Sequence, residues 1–190
     1  MSRDLSWEHD AAAPLDVSRA FAEPLHRKIA ARAGQKWPHR VLPAPAVTAD
    51  SDVHLVCEDG TVIRRTREVN GYAMFMLPSG VRNVRVVSGV FRPCDVTGPF
   101  TDDRRRIGVA VGEITVFRRG QSTSVTAHLS GEALSGWHAQ EWADTRLTTG
   151  DALLPLEACD TDGGALLVMQ LRPVGPYPAE TPAEELRRSA

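Results

Sequence analysis

Hydrophobic positions change their spacing near residue 50. Before that point Val17, Phe21, Leu25 and Ile29 recur every four residues, with Arg27, Lys28 and Arg32 on other faces. This is the spacing of an amphipathic helix. Asp16 or Ser18 can cap its start and Gly34 can end it. Pro24 conflicts with a helix interior because it lacks an amide hydrogen and clashes with the preceding turn. The pattern therefore predicts a kink at Pro24 or a helix that begins there, where the first turn tolerates proline. Residues 37–49 carry Pro38, Pro43 and Pro45 and read as an extended linker, the best boundary in the chain.

Beyond the linker the pattern is that of short strands separated by turn chemistry. Strands are expected at 53–57 and 61–66 around Glu58-Asp59-Gly60, then at 72–77 after Asn70-Gly71, and at 84–91 after Pro78-Ser79-Gly80. The longest apolar stretch, 107–117, has branched residues at odd positions through Val111 and at even positions from Ile114. Side chains alternate faces along a strand, so this change of phase predicts a bulge at Gly112-Glu113. Further strands are expected at 124–129, 152–156 and 165–171. The fold expected is mainly β, an antiparallel, jelly-roll-like β-sandwich preceded by one N-terminal helix. Its parts are a helical connector at 1–36, the Pro-rich linker at 37–49, the sandwich at 50–172 and a flexible tail at 173–190.

Charge and composition narrow the partners. A net charge of −2 gives no overall attraction to a phosphate backbone, so nucleic acid is not expected. No apolar run approaches the roughly 20 residues of a membrane-spanning helix. The first ten residues lack the apolar core of a signal peptide, which predicts a cytoplasmic protein unless a non-classical route exports it. Cys57, Cys94 and Cys159 are odd in number and lack zinc-site spacing, so neither a disulfide framework nor a zinc ribbon is expected. Cys57 sits within an apolar run and reads as a small buried thiol.

The densest chemistry lies at 137–144, where Trp137, His138, Glu141, Trp142 and Asp144 follow Ser135-Gly136. An indole face can stack on the apolar face of a sugar while nearby polar groups meet its hydroxyls. The competing reading is that Trp137 plugs one end of the sandwich and the charges solvate a loop. His138 and Glu141 at i, i+3, continued by Asp144, would share a face of a helical turn and suggest a metal, but no second motif supports one. Asp160-Thr161-Asp162-Gly163-Gly164 lacks the remaining ligands of a calcium loop and reads as a hairpin turn. If the strand phase of Ile107 runs backward, Asp103 and Arg105 face the core, as a structural ion pair or as an anion site. His54, Ser88 and Asp95 could be assembled into a triad only on paper. The motifs of common hydrolases, P-loop proteins and dinucleotide-binding proteins are missing. No catalytic residue and no cofactor are therefore assigned.

The runs Met76-Leu77-Pro78-Ser79-Gly80-Val81-Arg82-Asn83-Val84-Arg85-Val86-Val87-Ser88, Arg92-Pro93, Asp103-Arg104-Arg105-Arg106-Ile107-Gly108-Val109-Ala110-Val111, Gly136-Trp137-His138-Ala139-Gln140-Glu141 and Thr149-Gly150-Asp151-Ala152 carry a resemblance. Together they resemble the region C-terminal to the Hint (Hedgehog/intein) fold in many alphaproteobacterial proteins, a region also seen beside some bacterial glycosyltransferases. The 14–34 stretch is similar to the helical connector between the two parts. The resemblance covers about two-thirds of the chain and implies a domain that accompanies an active one. A Hint domain needs its own β-fold with an N-terminal Cys or Ser, and 190 residues leave no room for it, so autoprocessing is not expected. Leu147 stands where the similar proteins often carry Trp. The expected function is a non-catalytic accessory module binding carbohydrate or cell-envelope material. The alternative is a protein-interaction or assembly module using the helix or a sheet edge, and a metal-dependent hydrolase is third.

Overall fold

A computed structural model describes residues 6, 10–12, 16, 18–40, 46–130, 133–156 and 163–179. Val17, Cys159, the acidic run at Asp160–Asp162, linker residues 41–45 and tail residues 180–190 lie outside the described residues. The chain packs as two compact units, Met1–Ala44 with Pro93–Arg104, and Pro45–Arg92 with Arg105–Ala190.

The first unit is built on helix α1 (Arg19–Lys36). Ser18 caps it, its hydroxyl accepting from the Phe21 amide at 3.4 Å, and the Asp16 carboxylate accepts from the Ser18 amide at 2.8 Å. The helix runs through both Pro24 and Gly34. Pro24 is the sixth helical residue, so it forfeits one hydrogen bond near the start and leaves the later ladder intact. No residue of α1 is buried, and Phe21, Leu25 and Ile29 are 54%, 48% and 60% exposed. The short helix α2 (Pro93–Val96) belongs to the same unit, in which the His26 and Phe100 rings stand 5.6 Å apart. No described helix is long and apolar enough to cross a membrane.

The second unit is an antiparallel β-sandwich, the fold class expected. One sheet has the order β10-β6-β2-β3, from β2 (His54–Cys57), β3 (Val62–Arg64), β6 (Asn83–Val87) and β10 (Asp151–Pro155). The other has the order β4-β5-β11-β7-β8, from β4 (Arg67–Val69), β5 (Tyr72–Leu77), β7 (Ala110–Arg118), β8 (Gln121–Ser124) and β11 (Ala165–Arg172), with β9 (Arg146–Leu147) also on β7. Consecutive strands β5 and β6 lie in different sheets, and each pairs with one of the consecutive strands β11 and β10. A paired ribbon is thus folded over the core. Leu55, Val86 and Leu154 from one sheet meet Phe75, Ile114, Leu167 and Met169 from the other in a single cluster. Burying each such side chain contributes about 1.5–3 kcal/mol.

The predicted bulge is present. Along β11, Met169 faces Ile114 and Leu171 faces Val111, so Gly112 and Glu113 together oppose Gln170 alone. The doubled residue lets Val111 and Ile114 both point inward despite their unequal phase. Gly112 admits no side chain here without a shift, since a Cβ would stand 2.3 Å from the Gln170 Oε1.

Two expected boundaries move. β1 (Val47–Thr48) pairs with β12 (Tyr177–Pro178), and Tyr177 is buried with its hydroxyl donating to the Gly108 carbonyl at 2.9 Å. Residues 47–49 and 173–179 therefore belong to the sandwich unit rather than to a linker and a loose tail. The strand expected at 124–129 ends at Ser124, and Ala127–Leu129 form a 3-10 turn. That turn carries His128 into the interior, where its Nε2 lies 2.8 Å from the Gly112 carbonyl at the bulge.

Candidate functional site

The 137–148 stretch is a narrow, irregular antiparallel ribbon. Trp137 bridges Thr148, the His138 amide donates to the Leu147 carbonyl at 2.9 Å, and Trp142 bridges Thr145. Gly136 enters it at φ 80°, and a Cβ there would fall 1.9 Å from the Asp151 carbonyl oxygen. At the tip the Gln140 side chain donates from Nε2 to the carbonyls of Trp142 and Ala143. A ribbon alternates its side chains, so the shared helical face imagined for His138, Glu141 and Asp144 does not arise.

The five residues part company accordingly. Trp137 is 8% exposed, its indole donates to the Leu153 carbonyl at 2.6 Å, and its ring lies 5.3 Å from His128. It is the plug of the two readings. His138 places Nε2 2.8 Å from the Arg106 carbonyl, which makes that nitrogen a donor. Glu141 forms an ion pair with Arg105, and Asp144 forms one with Arg172. Among the described residues no group of three or more His, Cys, Asp or Glu is placed to hold a metal ion.

Arg105 does not face the core. Its side chain is exposed in the pair with Glu141, and Asp103 is half-buried. The inward phase of Ile107 does not extend back because Ile107 pairs only with Phe91 as an isolated bridge, and β7 starts at Ala110.

Trp142 is the aromatic left outside, 50% exposed. It borders a cleft of about 280 Å³ whose other walls include Asp144, Thr145, Arg172, Leu147 and Ala110. Ala110 pairs with both Leu147 and Arg172, so the three side chains form one row on the outer face of the sheet. An indole, an ion-paired carboxylate and guanidinium, and an apolar floor thus meet in one concavity. No family model, curated protein or solved structure matches the chain.

Behind the ribbon lies a buried polar cluster that the sequence did not disclose. Arg146, on the core side of β9, donates from Nε to the His138 carbonyl at 2.7 Å and from Nη1 to the His128 carbonyl at 3.0 Å. Burial lowers the pKa of the His128 imidazole and the nearby Arg146 charge lowers it further, while the bond to Gly112 opposes both. With Nε2 donating to Gly112, Nδ1 is an acceptor, and it has no hydrogen-bond partner among the described residues. These groups fix the base of the ribbon and leave its tip to the solvent.

A second cleft, of about 560 Å³, shares Arg172, Pro173 and Val174 with the first. Arg65 lies within it, bonded through Nη2 to both oxygens of Asp50 at 2.7 Å and through Nη1 to Glu68 at 2.6 Å. The Asp52 amide bonded to Asp50 is the main cause of that carboxylate's lowered pKa, and Arg65 adds to it. Only one signal for this region was available in the sequence: even-numbered residues of β11 face outward, which puts Arg172 on the open side. Arg65 falls near the end of the strand expected at 61–66, which says nothing of its partners, and Glu68 sits where no apolar alternation reports a strand.

Proposed function

We propose that this chain is a non-catalytic accessory module that binds carbohydrate, such as cell-envelope glycan, through the cleft beside Trp142. The observation carrying this reading is the half-exposed indole bordering a concavity that also holds Asp144, Thr145 and Arg172. A sugar ring offers an apolar face to the indole and hydroxyls to the polar groups. Compared with the loop expected from sequence, the site shifts toward Trp142, Asp144 and Arg172 and away from Trp137, which supports the ribbon from inside. Glu141 and Asp144 each hold an arginine, an arrangement suited to orienting hydroxyls. The resemblance to the region following Hint domains agrees with an accessory role.

Titrating the full chain with a panel of glycans while following tryptophan fluorescence tests this reading. Binding is expected to be lost in Trp142→Ala and retained in Glu113→Gln, which lies outside the cleft. Silence toward every glycan, or binding indifferent to Trp142→Ala, overturns it. A second reading, docking of a protein partner, is favoured by the exposed Phe21, Leu25 and Ile29 stripe on α1. Its measure is the mass of the full chain in solution, alone and with Leu25→Asp, where an assembly that dissolves in the variant supports it.

A further inference from the structure

Resting on the carbohydrate reading above, we infer that the ligand is a neutral or amino-bearing oligosaccharide that spans both clefts, and that the second cleft discriminates against acidic sugars. The two clefts meet at one strand end. Ala110 and Arg172 line the first, whereas their chain neighbours Val109 and Leu171 line the second. The clefts share Arg172, Pro173 and Val174 as a common wall where β11 ends. Arg172 borders both. The first cleft, of about 280 Å³, falls just below the roughly 300–1,000 Å³ of ligand sites, and the second, of about 560 Å³, adds the larger share. A chain of sugar rings fits this pair better than one ring.

The charges set the ligand class. Arg172 is engaged by Asp144, and Arg65 by Asp50 and Glu68. Two guanidinium groups thus face three carboxylates across both clefts, and each guanidinium already holds an anion. A uronate or sulfated sugar would have to share a guanidinium whose charge a carboxylate already offsets, or displace that carboxylate, and either is less favourable than placing a neutral sugar there. A hydroxyl instead finds vacant acceptor positions on the carboxylate oxygens, each ionised carboxylate offering about four. An ammonium group additionally offsets the one carboxylate in excess across the two clefts.

The test uses calorimetric titration of the full chain with three oligomer series of two to six rings: N-acetylglucosamine, glucosamine and galacturonate. Affinity for the first two series is expected to rise about tenfold between the dimer and the longer members, with galacturonate about tenfold weaker at equal length. Glu68→Arg, an exposed change on edge strand β4, is expected to weaken the long glucosamine oligomers, improve the long galacturonates and leave dimer binding unchanged. Trp142→Ala is expected to weaken every length. If dimers bind in a Trp142-dependent way but length, sugar charge and Glu68→Arg have no effect, the second cleft is not part of the site and this inference fails while the first reading stands. If galacturonates bind best in the wild type, the assigned class is wrong. If Trp142→Ala binds like wild type, both readings fail together.

Discussion

Helix α1 and the paired strands β7 and β11 both carry regular apolar patterns, yet they treat their side chains differently. Ile114, Leu167 and Met169 are sealed in the core, whereas Phe21, Leu25 and Ile29 on α1 stay about half exposed. A periodic pattern therefore states which side chains gain from burial and which share a face. It does not state that the chain itself supplies the cover. An 18-residue helix with a proline, a glycine and no buried residue draws little stability from packing, and isolated helices near this length are marginal in water.

The contrast can be broken most directly from the strand side. Phe75→Ala opens a cavity between the two sheets and is expected to cost about 3–5 kcal/mol in denaturant unfolding. A loss below about 1 kcal/mol would mean that the cluster is not the stabilising core. Trp137→Ala is expected to cost a comparable amount, about 3 kcal/mol, and Trp142→Ala less than about 0.5 kcal/mol. Equal effects of the two would contradict the division between plug and exposed face.

Smaller is the effect of pH through His128. Its folded-state pKa is lowered, chiefly by burial, so the unfolded chain takes up this proton first. Stability is then whole above the ordinary histidine value near pH 6.5 and is lost as pH falls from there through the folded-state value, by at most about 1.4 kcal/mol per pH unit. Unfolding midpoints between pH 8 and 5 should show this slope, and His128→Gln, which keeps a donor for Gly112, should flatten it. The smallest effect is expected on the helix. Leu25→Ser should change the unfolding free energy by less than about 0.5 kcal/mol, and amides of α1 should exchange with solvent well before those of β7 and β11.

The legible parts of the fold were those in which one face is apolar and the other polar. Tyr72–Leu77 matched its predicted span because its burial alternates, and the bulge was visible because Val111 and Ile114 cannot share a face without one. β8 was misplaced because Gln121, Ser122, Thr123 and Ser124 form an exposed edge with no apolar signal. β1, β9 and β12, of two residues each, are too short to show any period. At the candidate site, composition singled out the two tryptophans but could not assign one inward and one outward. That assignment depends on the turn at Gly136 and on the Leu153 carbonyl, which comes from a strand that pairs only after folding. The partner of Asp144, 28 residues away, was equally out of reach.

The bulge in β7 also bears on how this strand can change in length. Deleting Glu113 would leave Gly112 opposite Gln170 and continue the ladder unbroken, with Val109, Val111, Ile114 and Val116 all still inward. The extra residue is thus an insertion absorbed without a frameshift. Pairing does not need it; what it supplies is curvature, which sets the direction in which the Ala110 end of the strand leaves the sheet and turns the Gly112 carbonyl toward His128. A chain shortened by that one residue would keep its sandwich and straighten the wall on which the Trp142 cleft is built.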